Sequence, residues 1–444
     1  MSEEELLSKT EPLPKQNLNQ EELSSPTSEE KVINQTEQPS SVQENSNSLL
    51  ELQFSDLRIK LQIGFAFLTF VLLGANDAAI GVLLPHWGSY YNVDKAMLSL
   101  VFFAGSLGYL VAALNSNFLF RKLGNVKFLS LGKAAFLSGV IIFCFQPPLY
   151  LILTVPFLLG FGAAILEAAL NAHLTKFPNK SVLLNYLHSF YGVGALLSPF
   201  LASQILEADW RWSVIYFGIS ALSLILLISM RWLFTSADRG NSNSDSENTP
   251  VESPLRYRFV WLFAFFLLFY AGAEISLGNW SYSFLTQYRH EDNVLAGWLM
   301  SGYWFGLTVG RVCIGPLTNK LGTRKIINLC LVGVMIGVFT LIFMSFSITS
   351  AFGLLLTGFC LGPILPTALA FLSNIIPSYL LTGAISFIAS LGSLGKAFFP
   401  WIAGNIADNL GLEMFLPYII VLTALMITLW ALILARENQS YANS

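Results

Sequence analysis

Between residues 61 and 435, mostly apolar stretches of about twenty residues recur twelve times. Each is long enough, at ~1.5 Å per residue, to cross a ~30 Å hydrocarbon core as a helix. They read as 61–84, 97–119, 126–146, 149–172, 182–205, 212–234, 258–285, 295–317, 325–345, 350–372, 380–403 and 413–435. The polar stretch 235–256 divides them six and six. This pattern predicts an all-α membrane protein of twelve transmembrane helices. Composition agrees: 11% of residues are charged, against about 25% in soluble domains.

The net charge of −3 hides a split. Up to Asp56 there are three Lys against twelve Asp and Glu, whereas the remainder carries an excess of six cations. Residues 1–57 therefore read as a disordered, acidic cytosolic tail, too polar to bury a core of their own. The tail has no apolar region of signal-peptide type. The spacing before Leu49-Leu50 is one residue too long for an acidic dileucine signal. A solvated tail, phosphorylated around Ser24, Ser25, Thr27 and Ser28, is the better reading. Residues 58–234 then form one six-helix bundle, 235–256 a cytosolic linker, 257–435 a second bundle and 436–444 a short cytosolic tail. No basic stripe exists outside short loops, which excludes nucleic acid as a partner. Cys144, Cys313, Cys330 and Cys360 each sit in an apolar run without ligand spacing, so they read as small apolar residues. No metal and no cofactor is expected.

Orientation follows from Lys and Arg in the short connections. Arg58, Lys60, Arg121, Lys122, Lys127, Lys176, Lys180, Arg231, Arg239, Arg256, Arg258, Lys320, Arg324, Lys325 and Arg436 share one side. Only Lys95, Arg211 and Arg289 fall on the other. Both termini are accordingly expected in the cytosol. The sequons at Asn34, Asn179 and Asn438 then face the cytosol and Asn279 lies in a span, so none should be glycosylated.

The two sets of six resemble each other at an offset of about 200 residues. Gly74-Ala-Asn76-Asp77 answers Gly272-Ala-Glu274, Arg121-Lys-Leu-Gly124 answers Asn319-Lys320-Leu-Gly322, and Gly194-Ala-Leu-Leu-Ser-Pro199 answers Gly395-Lys396-Ala-Phe-Phe-Pro400. Two parallel six-helix repeats are a transporter plan in which the halves rock about a central cavity. The segment Gly315-Pro-Leu-Thr-Asn319-Lys320-Leu-Gly322-Thr-Arg324-Lys325 resembles the signature loop of the major facilitator superfamily, G-x-L-x-D-R-x-G-R-R, with Asn319 in place of the usual acid. In the first copy Arg121 stands in that place and Asn117 replaces the first glycine. Glycine permits the tight turn, and the cations face anionic lipid.

Further stretches are similar to the fungal branch of the fucose-permease-type proton symporters. Ile165-Leu-Glu167-Ala-Ala-Leu-Asn171 resembles their L-E-T-x-x-N, and Leu184-Asn185-Tyr-Leu-His188-Ser-Phe190-Tyr-Gly192 their L-N-x-x-[HQ]-x-x-x-G. Gly272-Ala-Glu274-Ile-Ser-Leu-Gly-Asn-Trp280, Trp304-Phe-Gly-Leu-Thr-Val-Gly310-Arg311, Pro363-Ile-Leu-Pro366 and Pro400-Trp-Ile-Ala-Gly404 extend the resemblance over about residues 60–435. It implies a major facilitator fold. It also implies that an acid in span 1 and Glu167 in span 4 contact the solute and the proton. Asp77 sits about one turn before the position of the span-1 acid.

An ionisable group within a spanning helix is costly and is a functional hypothesis by default. The set is Asp77, Lys133, Glu167, His188, Glu274, Arg311 and Lys396. Lys133 lies near the cytosolic end of its span and is expected to snorkel. Depth along the helices places Asp77, Glu274 and Lys396 in an outer layer, with Lys396 neutralising Glu274 or Asp77. Glu167, His188 and Arg311 fall in a layer nearer the cytosol. A carboxyl group in low dielectric can take up a proton on one side and release it on the other. The competing role for each acid is an ion pair holding the bundles together. Asn76, Asn171 and Asn185 could bond solute hydroxyls or join helices. Trp280, Tyr282, Tyr303 and Trp304 could stack on a ring or simply pack.

These residues predict a proton-coupled secondary active transporter of a small polar solute, sugar-like or organic, working by alternating access. The expected partners are a small-molecule substrate, a proton and the lipid bilayer, with the chain a monomer. The membrane is the plasma membrane or an internal one such as Golgi, ER or vacuole. The alternative is a non-transporting receptor that signals through the N-terminal tail; deleting residues 1–50 would separate the two. An enzyme is not expected, since no nucleophile arrangement surrounds His188. Gly392-Ser-Leu-Gly395-Lys396-Ala397 lacks the length and the Ser/Thr of a nucleotide-binding loop, which excludes a primary pump.

Overall fold

The computed structural model describes residues 40–177, 180–234, 254–344 and 346–442, with side chains from Leu57 onward except at 180–181, 254, 314–316, 318–319, 378–379, 382 and 439–442. The chain separates into residues 1–55 and 56–444, and the membrane-spanning stretches belong to the second of these units. The expected phosphorylation sites and most of the 235–256 linker lie outside the described residues, and Leu49-Leu50 is described only as helical backbone. Gly315 and Asn319 are described only as helical backbone.

The elements are α1 (Ser40–Tyr91), α2 (Lys95–Leu98), α3 (Leu100–Cys144), α4 (Leu149–Thr154), α5 (Pro156–Leu174), α6 (Lys180–Glu207) and α7 (Val214–Leu233) in the first half. The second half has α8 (Arg258–Ser283), α9 (Asn293–Leu321), α10 (Thr323–Phe343), α11 (Ser347–Leu361), α12 (Ile364–Ser373), α13 (Ser378–Asn409) and α14 (Phe415–Ala442). No strand occurs among the described residues. Ten stretches are long and apolar enough to cross a membrane. One of them, Lys95–Cys144, holds two crossings, because Gly124 at φ 73° and ψ 167° breaks α3 into two arms. Together with α9 the described helices account for all twelve expected crossings. Pro156 and Pro363 split two further crossings into α4 with α5 and α11 with α12, since proline cannot continue the hydrogen-bond ladder behind it.

Successive crossings alternate in direction, as side-chain contacts between their ends show. Arg58 Nε and Gln62 Nε2 donate to the Leu233 carbonyl at 2.8 and 2.7 Å, joining the start of α1 to the end of α7. Tyr91 donates to the Pro147 carbonyl at 2.5 Å, joining the end of α1 to the α3–α4 turn. In the second half Arg324 at the start of α10 meets Glu437 near the end of α14 at 2.5 Å. Arg58, Gly124, Leu233 and Arg324 lie on one side, the basic face of the molecule. Leu114, Phe118, Ile225 and Phe343 are exposed on spanning helices, a placement that suits hydrocarbon rather than water.

Glycine makes the repeat visible in packing. A Cβ on Gly194 of α6 would lie 1.9 Å from the Val71 carbonyl of α1, and one on Gly395 of α13 would lie 2.2 Å from the Leu268 carbonyl of α8. The same backbone approach therefore occurs at corresponding places in each half.

The contacts that join the halves lie toward the face opposite the basic one. Asp408 near the end of α13 accepts from the main-chain N–H groups of Lys95 and Ala96 at 3.2 and 3.1 Å. Phe200 of α6 packs on Trp298 of α9 with ring centroids 4.2 Å apart. Gly81 of α1 abuts the backbone of Gly278 and Asn279 in α8. Asp77, His188 and Lys396 lie in mid-span and are nevertheless exposed.

Lys133 corrects one expectation. It does not snorkel: its side chain is fully buried, and its ammonium has no hydrogen-bond partner. It lies 5.9 Å from the Phe136 ring centroid. The neighbouring Gly132 packs on Ile165 and Gly162 of α5, so the first residues of this arm turn inward rather than toward headgroups.

Candidate functional site: an intramembrane cluster of acids and cations

Asp77 lies on α1 where that helix touches α6. Gly74 makes the approach possible, since a Cβ there would sit 2.0 Å from the Tyr191 carbonyl. The closeness brings the Tyr191 hydroxyl to Asp77 Oδ2, to which it donates at 2.8 Å. Asn76 Nδ2 donates to Asp77 Oδ1 at 3.2 Å, while its own Oδ1 is buried without a partner. Glu167 on α5 is half-buried. The Tyr109 hydroxyl of α3 donates to its Oε2 at 2.9 Å. Neither acid of the first half forms a direct ion pair among the described residues.

The second half treats its acid differently. Glu274 is 5% exposed and pairs with Arg311 of α9, Nη2 to Oε1, at 2.8 Å. Arg311 Nε also donates to the Gly362 carbonyl at 3.2 Å, so one guanidinium ties α9 to α8 and to the α11–α12 junction. The Tyr303 hydroxyl donates to the Glu274 carbonyl at 2.8 Å. Tyr270 is buried beside the same pair.

This arrangement corrects the expected layering. Glu274 takes Arg311 as its partner and not Lys396, so the two layers merge at this point. Counting rise along the helix locates Cα atoms, whereas the arginine head lies several bonds farther on and reaches the neighbouring level. Lys396 projects from α13 between Gly395, packed on α8, and the buried Ala397. It is exposed and lies within electrostatic reach of Asp77 and His188, which places it between the halves. His188 is exposed on α6, with its ring against Phe70 at 5.4 Å.

Other expected residues fall at the margins. Asn185 is exposed on α6 toward the basic face, and Asn171 is half-buried on α5. Trp280 stands apart from the cluster: it is buried, and its ring N–H donates to the Pro400 carbonyl at 2.9 Å. It lines a separate cavity of about 220 Å³ near the opposite face, together with Pro85, Asp94 and Lys95. Tyr282 and Trp304 are buried in packing. In the signature loop Gly322 adopts φ 82°, and Lys320 is exposed. Arg324 adds a 3.4 Å hydrogen bond to Asn438 beside its pair with Glu437. Lys325 is exposed next to it.

The residues that sequence reasoning missed are the tyrosines. Tyr109 and Tyr191 hold the two acids of the first half; Tyr303, expected to stack or pack, donates instead to the main-chain carbonyl of the third. A signal was present, because a tyrosine in mid-span needs a partner for its hydroxyl. The sequence does not say which acid that partner is.

Residues 66–292 and 262–443 match the model of the Major Facilitator Superfamily. Bypass of stop codon protein 6 of Saccharomyces cerevisiae is 26% identical over 411 residues, covering 84% of this chain and 82% of its own. The glucose/mannose transporter GlcP of Bacillus subtilis is 25% identical over 360 residues, covering 78% of this chain and 88% of its own. The crystal structure of a D-xylose-proton symporter shares the fold, with a TM-score of 0.69 at 14% identity over 83% of this chain and 96% of that one.

Proposed function

The chain belongs to the Major Facilitator Superfamily, and on that premise we propose that it is a proton-coupled secondary active transporter of a small polar solute, sugar-like or organic. It is a multi-pass membrane protein and not an enzyme. Within the superfamily we place it in the fucose-permease-type branch, on the Glu167–Asn171 and Asn185–Gly192 stretches. The basic face is assigned to the cytosol, with both termini on that side. Relatives whose names state an activity are transporters, GlcP among them, which favours transport over signalling through the tail.

The observation that carries proton coupling is the setting of Glu167. It is half-buried within electrostatic reach of Asp77 and His188, and its one direct side-chain hydrogen bond among the described residues comes from a neutral donor, Tyr109. A phenol can donate to a carboxylate and also to the carbonyl oxygen of a carboxylic acid. The contact therefore survives both protonation states, and a proton can be loaded and released without dismantling the site. Asp77, with Tyr191 and Asn76, has the same property. Glu274 lacks it, because its side-chain partner is the guanidinium of Arg311 in a charge-assisted bond; we assign that pair to holding α8 and α9 together. Proton and solute occupancy then change which rocking states are accessible.

The test is transport in proteoliposomes under an imposed proton gradient, screened with radiolabelled hexoses, amino acids and organic acids. The solute that accumulates is then tested with Glu167→Gln. Accumulation is expected to vanish while counterflow exchange persists. Undiminished accumulation by the variant would remove Glu167 from the coupling role.

A further inference from the structure

Each intramembrane acid of the cluster has a direct donor: Tyr191 and Asn76 for Asp77, Tyr109 for Glu167, Arg311 for Glu274. Lys396 is the exception on the cationic side. Among the described residues its ammonium makes no hydrogen bond and no direct ion pair, although it faces the space between the halves in mid-span. An ammonium has three donors and no acceptor, and leaving it without a counter-charge at this depth is costly. Gly395 packs on α8 and Ala397 is buried, while the side chain of Lys396 between them is exposed.

We propose that Lys396 is the docking point for a carboxylate carried by the solute, so that the transported molecule is a small organic acid anion and not a neutral sugar. The inference deepens the proton-coupled reading above and rests on it. A hydroxyl could accept one hydrogen bond from Lys396 but would leave its charge uncompensated. A carboxylate supplies both, and charge-assisted bonds are about twice as strong as neutral ones.

The charge balance also links the anion to the proton. The groups within electrostatic reach of Lys396 include Asp77 from α1 and His188 from α6. Glu167 from α5 and the Glu274–Arg311 pair from α8 and α9 lie in the same cluster. The Glu274–Arg311 pair is neutral in itself. With Asp77 and Glu167 both ionised, Lys396 is outnumbered and the cavity repels a further anion. With both protonated, Lys396 is the uncompensated charge and the anion restores neutrality. A charged His188 acts in the same sense. Protons and the carboxylate therefore load together.

The experiment uses the full-length protein in detergent and in proteoliposomes, with matched probes that differ in the acid group: gluconate against glucose, galacturonate against galactose, and 3-phenylpropionate against its amide. Binding is read by isothermal titration at about pH 5.5 and about pH 7.5. At least one acid is expected to bind the wild type at least about tenfold more tightly than its neutral counterpart, and more tightly at the lower pH. Lys396→Arg should keep that preference, whereas Lys396→Gln should erase it, a loss of about 1.4 kcal/mol or more. The proposal is overturned if the neutral members bind as well as the acids, if no acid binds, or if Lys396→Gln keeps the preference. Each variant is first checked for a monodisperse profile and a wild-type unfolding temperature. Lys396→Arg guards against a merely misfolded Lys396→Gln. A neutral sugar that accumulates through Glu167 would leave the transporter reading standing and remove this one. An acid that binds through Lys396 without being accumulated would leave the carboxylate site standing and remove the claim that the acid is transported.

Discussion

Asp77 and Glu274 occupy corresponding places in the two repeats, three and two residues after Gly74 and Gly272, yet they are held in opposite ways. The first half gives its acids neutral phenol donors, and the second gives its acid a guanidinium. Lys396 likewise belongs to the second half alone, since its counterpart in the first is the buried Ala195. One repeated pattern of close-packed helices thus carries two electrostatic designs. A phenol tolerates a change of protonation, whereas an arginine resists it. Symmetry of the backbone therefore does not extend to the partners of the acids.

Four outcomes put this contrast at risk. The largest is expected for Arg311→Gln, which leaves Glu274 buried without its counter-charge and should cost about 3 kcal/mol, read as a fall in thermal unfolding temperature in detergent. Adding Glu274→Gln in the same chain should recover most of it; an unfolding temperature like the wild type for Arg311→Gln alone would mean the pair is not structural. Next come Gly124→Ala and Gly322→Ala. Both glycines sit where essentially no other residue is comfortable, so each change should cost about 2 kcal/mol. Equal losses would show that the halves share their turns even where their charges differ. Smaller still are Tyr109→Phe and Tyr191→Phe, about 1 kcal/mol each for one hydrogen bond. The smallest stability effect belongs to Glu167→Gln, within about 1 kcal/mol of wild type, because the amide keeps an acceptor for Tyr109. If Glu167→Gln instead destabilised the fold as much as Arg311→Gln, the distinction between the halves would collapse.

The twelve crossings were legible because apolar length is a one-dimensional property, and the turns were legible because Gly124 and Gly322 mark them. The site was legible by type but not by pairing. Asp77, Glu167, Glu274, Arg311 and Lys396 stand out as charges in apolar runs, and of these Glu274 and Arg311 meet directly. Which acid meets which cation depends on helix tilt and on the reach of long side chains, and neither is written in spacing. Glu274 illustrates this: its rise along α8 pointed to Lys396, while the arm of Arg311 closes the gap. Lys133 failed for a related reason. Proximity to a span's end gives a lysine the chance to snorkel, but the rotational position of Gly132 against α5 decides whether it can.

Asp408 grips Lys95 and Ala96 by their main-chain N–H groups and not by their side chains. A clasp of this kind is indifferent to the residues it holds. Proline at 95 or 96 would break the clasp because it lacks the N–H, whereas other side chains there leave these two hydrogen bonds in place. The burden of inheritance falls on one partner: Asp408 has to stay an acceptor, and the segment it holds has only to stay a backbone.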